Sequence, residues 1–295
     1  MHTLSDIERQ RVRIALVEDL GKGDVTSLAT VREDAQGTGQ FIAKASGILA
    51  GLDLARQAFL IFETQTGIAS PIFEFKETQR DGAMLKKGES IASVRANLRT
   101  LLAVERVALN LMQRMSGIAS MTHAFVEAVR GTDAIILDTR KTAPLLRPFD
   151  RYAVHVGGGM YNRSSLSAMV LVKDNHIAAN RGDVAQVIEH LREYFKDPKH
   201  ELVPIEIEVT SLEQFAVVLT KGKGLINRVM FDNFELGKIR EAVKMNAGTF
   251  ETEASGGITL ATVRAVAETG VNFISVGALT HSVTGLDISF EVLPS

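Results

Sequence analysis

Apolar and polar positions follow two different rhythms along the chain, and the change falls near Gly117. Before that residue, an amphipathic helix and short strand-like pieces lead into a long helix, whereas strand-like and helix-like stretches alternate after it. The pattern predicts an α/β protein with an N-terminal, sandwich-like α+β domain over residues 1–116. A second domain over residues 117–283 is predicted to consist of strand–helix units.

The N-terminal part opens on a helix start signal. Ser5 and Glu8 have the spacing of a capping box, which predicts a helix through about Val17. Strand-like pieces follow, and a long helix with apolar residues at three- or four-residue spacing closes the domain. The predicted strands are Gly39–Lys44, Pro71–Lys76 and Ser90–Val94, and the predicted long helix is Asn97–Met115.

Six strand-like runs alternate with helical runs in the second part, which predicts a parallel sheet covered by helices. Six units fit either an open doubly wound sheet or a barrel, and the polar strand ends favour the barrel. The predicted strands are Ala134–Leu137, Met169–Val172, Ile205–Val209, Val229–Phe231, Phe250–Glu253 and Phe273–Val276. The predicted helices include Val184–Tyr194, Leu212–Leu219, Leu236–Met245 and Leu260–Glu268.

Charged residues and glycines follow the carboxyl end of each predicted strand. Active sites of (β/α) barrels are assembled at this rim from several strands at once. Six such ends in succession indicate a functional site, although each strand could also simply end at a polar surface. The strand ends carry, in order, Asp138 to Lys141, Lys173 and Asp174, Glu208, Asp232 and Asn233, Ser255 to Gly257, and Gly277.

The run IEIEV at Ile205–Val209 places two carboxylates on one face of a strand. Glu206 and Glu208 alternate with aliphatic residues, so both are expected to point into the barrel. Two carboxylates in a barrel interior need a cation partner, either lysine or a metal ion. The simplest alternative is that they only balance Lys141 and Lys173.

Two glycine-containing strand ends predict a phosphate site. Ser255, Gly256 and Gly257 precede a predicted helix, so backbone amides and a helix N-terminus would face the rim. Barrels often bind phosphate with the loops after their last strands. The second such strand end comprises Ser275, Val276 and Gly277.

A cluster of cations between residues 140 and 173 predicts a strongly anionic substrate with at least one phosphate. Arginine forks suit carboxylates and phosphates, and lysine acts as a compact point charge. Glu208 and Asp232 are hard oxygen donors that could hold Mg²⁺ against such phosphates. The cations are Arg140, Lys141, Arg147, Arg151, Arg163 and Lys173.

Composition narrows the classes of function. The 295 residues carry 33 basic and 35 acidic side chains, a formal net charge of −2, so the basic excess of a non-specific nucleic-acid binder is absent. Zero cysteines exclude disulfides, thiolate metal sites and a cysteine nucleophile. Without an apolar run of membrane-spanning length or a signal-peptide core, we expect a cytoplasmic protein with no membrane or nucleic-acid partner.

Seven motifs occur in the order found in one enzyme family. They are EDLGKGDVTS (Glu18–Ser27), ERVALNLMQRMSGIAS (Glu105–Ser120), LDTRKTAPLLR (Leu137–Arg147), LVKDNHI (Leu171–Ile177), IEVTSLEQF (Ile207–Phe215), FDNF (Phe231–Phe234) and EASGGI (Glu253–Ile258). TRKT together with VKDNH is highly specific, and the resemblance spans almost the whole chain. In these motifs the chain resembles the quinolinate phosphoribosyltransferases.

The resemblance implies an N-terminal α/β domain followed by an incomplete (β/α) barrel of about six strands, with residues 284–295 returning to the N-terminal domain. It also implies a homodimer in which Arg106 reaches the barrel of the partner subunit. The implied reaction joins quinolinate to 5-phosphoribosyl 1-pyrophosphate, with Mg²⁺, and gives nicotinate mononucleotide, pyrophosphate and carbon dioxide.

By the same resemblance, Lys141, Lys173, Glu208 and Asp232 are catalytic, and Glu208 and Asp232 are metal ligands. Cations around the pocket would bind the quinolinate carboxylates, and the two glycine-containing strand ends would bind the 5-phosphate. The implied substrate-binding residues are Arg106, Thr139, Arg140, Lys141, Asn162, Arg163, Lys173, Glu208, Asp232, Ser255, Gly256, Gly257, Ser275, Val276 and Gly277.

One stretch departs from the family pattern. Where the family reads Asn-His-Arg and then Gly-Leu-x-Asp, this chain has Tyr161, Asn162 and Arg163, and later Ala168. Asparagine can donate a hydrogen bond but carries no positive charge. We therefore expect a weaker or altered hold on one substrate carboxylate.

Three other functions stay open at this stage. Lys141 and Lys173 at strand ends also fit a Schiff-base aldolase. The changes at Asn162 and Ala168 fit a ligand-binding or regulatory relative without turnover. The closest competitor is a nicotinate-type phosphoribosyl transfer without decarboxylation.

Overall fold

The computed structural model describes residues 4–66 and 73–294. Its elements are α1 (Asp6–Leu20), α2 (Val25–Thr30), β1 (Gln36–Ala43), β2 (Gly47–Ile48), α3 (Leu52–Thr66), β3 (Glu74–Glu77), β4 (Met84–Leu85), β5 (Ser90–Asn97), α4 (Leu98–Ala128), β6 (Ile135–Leu137), α5 (Arg147–Val156), β7 (Val170–Val172), α6 (Asp174–Ala179), α7 (Val184–Tyr194), β8 (Ile205–Val209), α8 (Leu212–Lys221), β9 (Arg228–Asp232), α9 (Leu236–Asn246), β10 (Glu251–Ser255), α10 (Val263–Ala267), β11 (Phe273–Ser275), α11 (Ala278–His281) and β12 (Ile288–Pro294).

The chain divides into two compact units. The first comprises residues 1–123, 142–158 and 280–295, and the second comprises residues 124–141 and 159–279. Residues 117–123, 142–158 and 280–283, which the sequence pattern assigned to the second domain, fall in the first unit. One reason is a bidentate ion pair in which Arg114 of α4 donates to the buried Asp150 of α5, with both N···O distances at 2.8 Å.

The first unit contains an antiparallel sheet in the order β12-β1-β5-β3. Strand β12 pairs with β1 from Gly37–Pro294 to Ala43–Ile288, so the C-terminal segment completes this sheet. Helix α3 packs on the sheet through Phe59, whose ring lies 6.4 Å from that of Phe41. Of the predicted strand Pro71–Lys76, residues 71 and 72 lie outside the described residues.

Two helices of the first unit differ from the sequence pattern for identifiable reasons. Helix α4 continues past Met115 and runs through Gly117. A Cβ at position 117 would overlap the Thr284 carbonyl oxygen, so the packing requires glycine there. This glycine permits close approach of the C-terminal segment and does not end the helix. Helix α3 has no capping residue next to its N-terminus in the sequence. The N–H groups of Gly51 and Leu52 at this end donate instead to the carboxylate of Asp81, about thirty residues away.

The second unit confirms the predicted parallel sheet. Its six strands run in the order β6-β11-β10-β9-β8-β7, with β6 and β7 at the edges, as in an incomplete (β/α) barrel. Strand β8 and helix α7 have the predicted bounds. Helix α10 is shorter than predicted and begins only at Val263. Within residues 4–66 and 73–294, no helix combines the length and the apolar character that crossing a membrane requires.

Candidate active site

A cavity of about 620 Å³ opens at the carboxyl ends of the parallel strands, and all of its lining residues belong to the second unit. Most of the residues singled out from the sequence meet here, because parallel strands deliver their C-terminal side chains to one rim. The lining residues predicted from the sequence are Thr139, Arg140, Lys141, Asn162, Arg163, Lys173, Glu208, Asp232, Ser255, Gly256, Gly257 and Ser275.

Three predicted substrate-binding residues do not line this cavity. Arg106 lies on α4 in the first unit, with 57% of its side chain exposed and Glu105 at 3.8 Å. Val276 is buried, and its backbone N–H donates to the Leu137 carbonyl at 3.1 Å. Gly277 follows it and is likewise absent from the lining. Of the second predicted phosphate loop, only Ser275 faces the cavity.

Four lining residues were not among the predicted site residues. Asp174 and Asn233 directly follow Lys173 and Asp232, and both positions were noted only as strand ends. Leu171 and Met230 lie two residues before the same pair, so strand alternation places them on the same face. Alternation could have identified Leu171 and Met230, but their apolar side chains gave no chemical signal.

One wall of the cavity is cationic. The pKa of Arg163 is lowered, first by burial and then by the neighbouring positive charge of Arg140. The Arg163 guanidinium also donates to the Met169 carbonyl at 3.3 Å, which fixes its direction. The guanidinium groups of Arg140 and Arg163 repel each other, and a ligand carrying carboxylates would relieve that repulsion.

Asn162, at the point where the sequence departs from the family pattern, is held by its neighbours. Its backbone N–H donates to the buried Asp138 carboxylate at 2.6 Å, and its side-chain oxygen accepts from the Arg163 N–H at 2.7 Å. The amide group therefore has a defined orientation at the edge of the cationic wall.

Another part of the cavity lining carries two carboxylates on adjacent strands. Glu208 of β8 is buried and accepts from the Lys173 ammonium at 2.8 Å. Asp232 lies at the end of β9, and its pKa is raised first by burial and then by the charge of Glu208. A divalent cation between them would offset both effects.

The donor set fits Mg²⁺ only with help from a ligand. Among residues 4–66 and 73–294, no group of three or more His, Cys, Asp or Glu side chains could hold a metal ion. Two carboxylates leave most positions of an octahedral Mg²⁺ ion for water or substrate phosphate, which is the usual arrangement for this ion.

The glycine loop after β10 has an unusual backbone. Gly256 and Gly257 both have positive φ values, 95° and 61°, which a residue with a side chain rarely adopts. The expected helix N-terminus does not follow directly, because α10 starts six residues after Gly257. Any phosphate bound here would rely on the loop itself and not on a helix dipole.

Glu206, the first carboxylate of IEIEV, has different charged neighbours from those expected. Glu206 lies inside the barrel beneath Glu208, fully buried, but its charged neighbours are Glu253 and the arginines Arg228 and Arg163, not a lysine. Burial, followed by the charge of Glu253, raises the pKa of Glu206 well above its ordinary value. Only Glu208 has the predicted lysine partner.

Comparison with known proteins decides the family. The quinolinate phosphoribosyl transferase N-terminal domain matches residues 24–116, and the C-terminal domain of the same family matches residues 118–291. The chain belongs to the quinolinate phosphoribosyltransferase family. Members of this family are pentosyltransferases, and the resemblance drawn from the seven motifs is confirmed.

Individual relatives of the family agree. The chain is 42% identical over 291 residues to a protein of Mycobacterium leprae named nicotinate-nucleotide pyrophosphorylase [carboxylating], covering 97% of this chain and 98% of the relative. It is 40% identical over 294 residues to the chloroplastic protein of that name from Arabidopsis thaliana, covering 95% and 81%. The crystal structure of NadC from Streptococcus pyogenes superposes with a TM-score of 0.89 at 34% identity, covering 100% of both chains.

Proposed function

We propose that this protein transfers the phosphoribosyl group of 5-phosphoribosyl 1-pyrophosphate to quinolinate, with loss of carbon dioxide, to give nicotinate mononucleotide and pyrophosphate for NAD biosynthesis. The observation that carries the proposal is the single cavity that joins a cationic wall, a pair of carboxylates and a glycine loop. Each of these three parts matches one charged portion of the two substrates.

Quinolinate would bind at the cationic wall. Arg140, Lys141 and Arg163 would bind its two carboxylates, with Thr139 and Asn162 at the edge of the same wall. The Thr139 hydroxyl accepts the backbone N–H of Lys141 at 3.2 Å, which helps to fix the turn that presents the lysine. Held in this way, the pyridine nitrogen would face the sugar carbon that it attacks.

The ribose and pyrophosphate would lie against the carboxylates of Glu208 and Asp232. As the pyrophosphate departs, positive charge develops on the ribose carbon, and the carboxylates of Glu208 and Asp232 favour that charge. Lys173, already within 2.8 Å of Glu208, supplies a cation for the leaving oxygens. Mg²⁺, held by Glu208 and Asp232, would neutralise charge on the pyrophosphate.

The 5-phosphate would bind at the glycine loop. Ser255, Gly256 and Gly257 offer a hydroxyl and backbone N–H groups next to the carboxylate wall, and Ser275 adds a hydroxyl from β11. Val276 and Gly277 are proposed to support this subsite from behind the cavity lining.

We further propose a cytoplasmic homodimer in which Arg106 completes the quinolinate site of the partner subunit. Arg106 is largely exposed within its own unit. Helices α1 and α2 of that unit also expose large apolar side chains, a feature typical of interaction surfaces. These exposed side chains are Ile7, Ile14, Val17, Val25 and Leu28.

The proposed reaction has a direct test. Purified protein incubated with quinolinate, 5-phosphoribosyl 1-pyrophosphate and Mg²⁺ is expected to release nicotinate mononucleotide and carbon dioxide in equal amounts, and neither product after chelation of the metal. Product from nicotinate without carbon dioxide would favour the non-decarboxylating alternative. Trapping of Lys141 or Lys173 by borohydride with a keto substrate would favour the aldolase.

Asn162 offers a second prediction at the same site. Replacing Asn162 with histidine adds a cation beside Arg163, so the Kd for quinolinate should fall by about tenfold or more, which is about 1.4 kcal/mol. Calorimetric titration measures the affinity. The gain should be larger at pH 6 than at pH 8, because histidine is charged only at the lower pH. A gain smaller than tenfold at pH 6 would contradict the proposed weak hold on the carboxylate.

A further inference from the structure

Asn233, the first residue after β9, has a left-handed backbone with φ of 56°. This region favours glycine, and among the other residues asparagine and aspartate adopt it most readily. Such backbone positions concentrate at functional sites. Asn233 lines the substrate cavity, yet nothing in the proposed reaction so far uses it.

The polar groups of Asn233 connect two strands. Its backbone N–H donates to the Ser255 carbonyl at 2.9 Å, which continues the pairing of β9 and β10 by one residue. Its side-chain amide donates to the Asp232 carboxylate at 2.8 Å. The amide therefore holds one oxygen of a carboxylate that we assign to the pyrophosphate wall.

The same side chain also packs on the glycine loop. A Cβ built on Gly256 would overlap the side-chain oxygen and Cγ of Asn233, and it would lie 2.9 Å from the Asn233 backbone nitrogen. The bare Cα of Gly256 is therefore the surface against which the amide rests. Gly256 and Gly257 both have positive φ values, so the loop turns at the point where it contacts Asn233.

We propose that Asn233 is a positioning residue that fixes the Asp232 carboxylate and the Ser255–Gly257 loop relative to each other, so that both phosphate-bearing ends of a phosphorylated sugar bind at once. The inference rests on the proposed function, because it assigns the carboxylate to the pyrophosphate end and the loop to the 5-phosphate end. It adds a residue whose role is to set their spacing.

A glycine substitution at Asn233 distinguishes a positioning role of the side chain from a role of the backbone in the turn alone. Asn233→Gly keeps the left-handed backbone and the N–H bond to Ser255 but removes both side-chain contacts. The KM for 5-phosphoribosyl 1-pyrophosphate is expected to rise about tenfold or more, because Asp232 and the glycine loop would no longer be held in the arrangement that binds both ends of the sugar. The KM for quinolinate should stay within about twofold, since its wall is formed by other strands.

Two further variants sharpen the result. Ala247→Gly makes the matched backbone change at another left-handed position, the C-terminal end of α9, which is outside the cavity lining. It should leave both KM values unchanged. Asn233→Asp retains a residue that tolerates this backbone but places a second carboxylate against Asp232, so it should raise the same KM more than glycine does.

Direct binding measurements test the positioning role of Asn233 separately from the proposed reaction. Titration of 5-phosphoribosyl 1-pyrophosphate with Mg²⁺ is expected to show the same loss of affinity in Asn233→Gly, whereas pyrophosphate with Mg²⁺, which occupies only the Asp232 end, should lose clearly less. If the wild-type protein binds the sugar but does not convert quinolinate, the reaction fails while the binding loss still supports the positioning role. A folded Asn233→Gly variant with wild-type affinity would overturn the inference alone, and a wild-type protein that binds neither probe would overturn both.

Discussion

Replacing Arg106 with alanine is expected to lower kcat/KM for quinolinate by about 100-fold or more, because a carboxylate of the substrate would lose its charged partner. The loss should come without unfolding, since the Arg106 side chain is mostly exposed on α4 and its nearest carboxylate is 3.8 Å away. Steady-state kinetics and thermal unfolding of the same preparation measure the two effects. Arg130→Ala, which removes another exposed arginine, should retain wild-type kinetics.

Mixed dimers test whether Arg106 acts in the partner's site. Lys141→Ala is also expected to inactivate the protein, through the cavity of its own chain. When the two inactive variants are unfolded together and refolded in equal amounts, a mixed dimer contains one site with both Arg106 and Lys141. Random pairing makes half of the dimers mixed, so activity should return to about a quarter of the wild-type value.

The mixture also shows how the proposal could fail. If mixed dimers form, as tagged chains would reveal, and activity does not return, Arg106 serves the site of its own chain. A wild-type rate for Arg106→Ala would remove this residue from the site altogether. Recovery of activity would establish the shared site without any structure of the complex.

The second unit was predictable because its signals are local. The alternation of IEIEV predicts the bounds of β8, and the apolar spacing over Val184–Tyr194 predicts α7. The rule that chemistry follows parallel strand ends then predicted most of the lining residues, whereas Asn162 came only from the family resemblance. Sequence order was sufficient here because every strand contributes to the same rim.

Where the deciding contact comes from far along the chain, the sequence pattern was not sufficient. Helix α3 is capped by Asp81 and so has no start signal of its own. Gly117 resembles a helix end, but it is needed for the approach of Thr284. Similarly, Glu206 was expected to have a lysine or a metal ion as its cation partner, but its charged neighbours include Glu253 of β10. A neighbour two strands away cannot be identified before the order β10-β9-β8 is known.

The buried cluster of Glu206, Glu253 and Arg228 is the basis of the largest predicted effect on stability. Glu253 of β10 is fully buried, and the Arg228 guanidinium lies 3.1 Å from it and 3.1 Å from Glu251. The same guanidinium stacks on Phe273, with 3.8 Å to the ring centroid. Arg228 is thus the main cation that offsets a buried carboxylate, which itself neighbours the carboxylate of Glu206.

Arg228→Met is expected to lower the free energy of unfolding by about 3–5 kcal/mol, the typical cost of leaving a buried charge without its partner. Urea denaturation followed by circular dichroism measures the change. Lys196→Ala is the matched control, because it removes an ion pair with Glu193 in which both side chains are at least 70% exposed. That change should cost less than about 1 kcal/mol.

The pH dependence of the Arg228→Met loss follows from the direction of the pKa shifts. Burial raises the pKa of Glu253, so the folded state binds its proton more tightly than the unfolded state does. Stability then falls as the pH rises above the ordinary value for glutamate. Without Arg228 this pKa rises further, so the loss in Arg228→Met should be larger at pH 8 than near pH 4.5, the ordinary value for glutamate.

A double variant separates charge from packing. Arg228→Met combined with Glu253→Gln removes the stranded carboxylate together with its cation, and replacing a buried ion pair by neutral groups is often close to neutral. We expect the double variant to regain most of the lost stability and to keep only the pH dependence that comes from the buried Glu206. If instead it were as unstable as Arg228→Met at both pH values, the contribution of Arg228 would come from its stacking on Phe273.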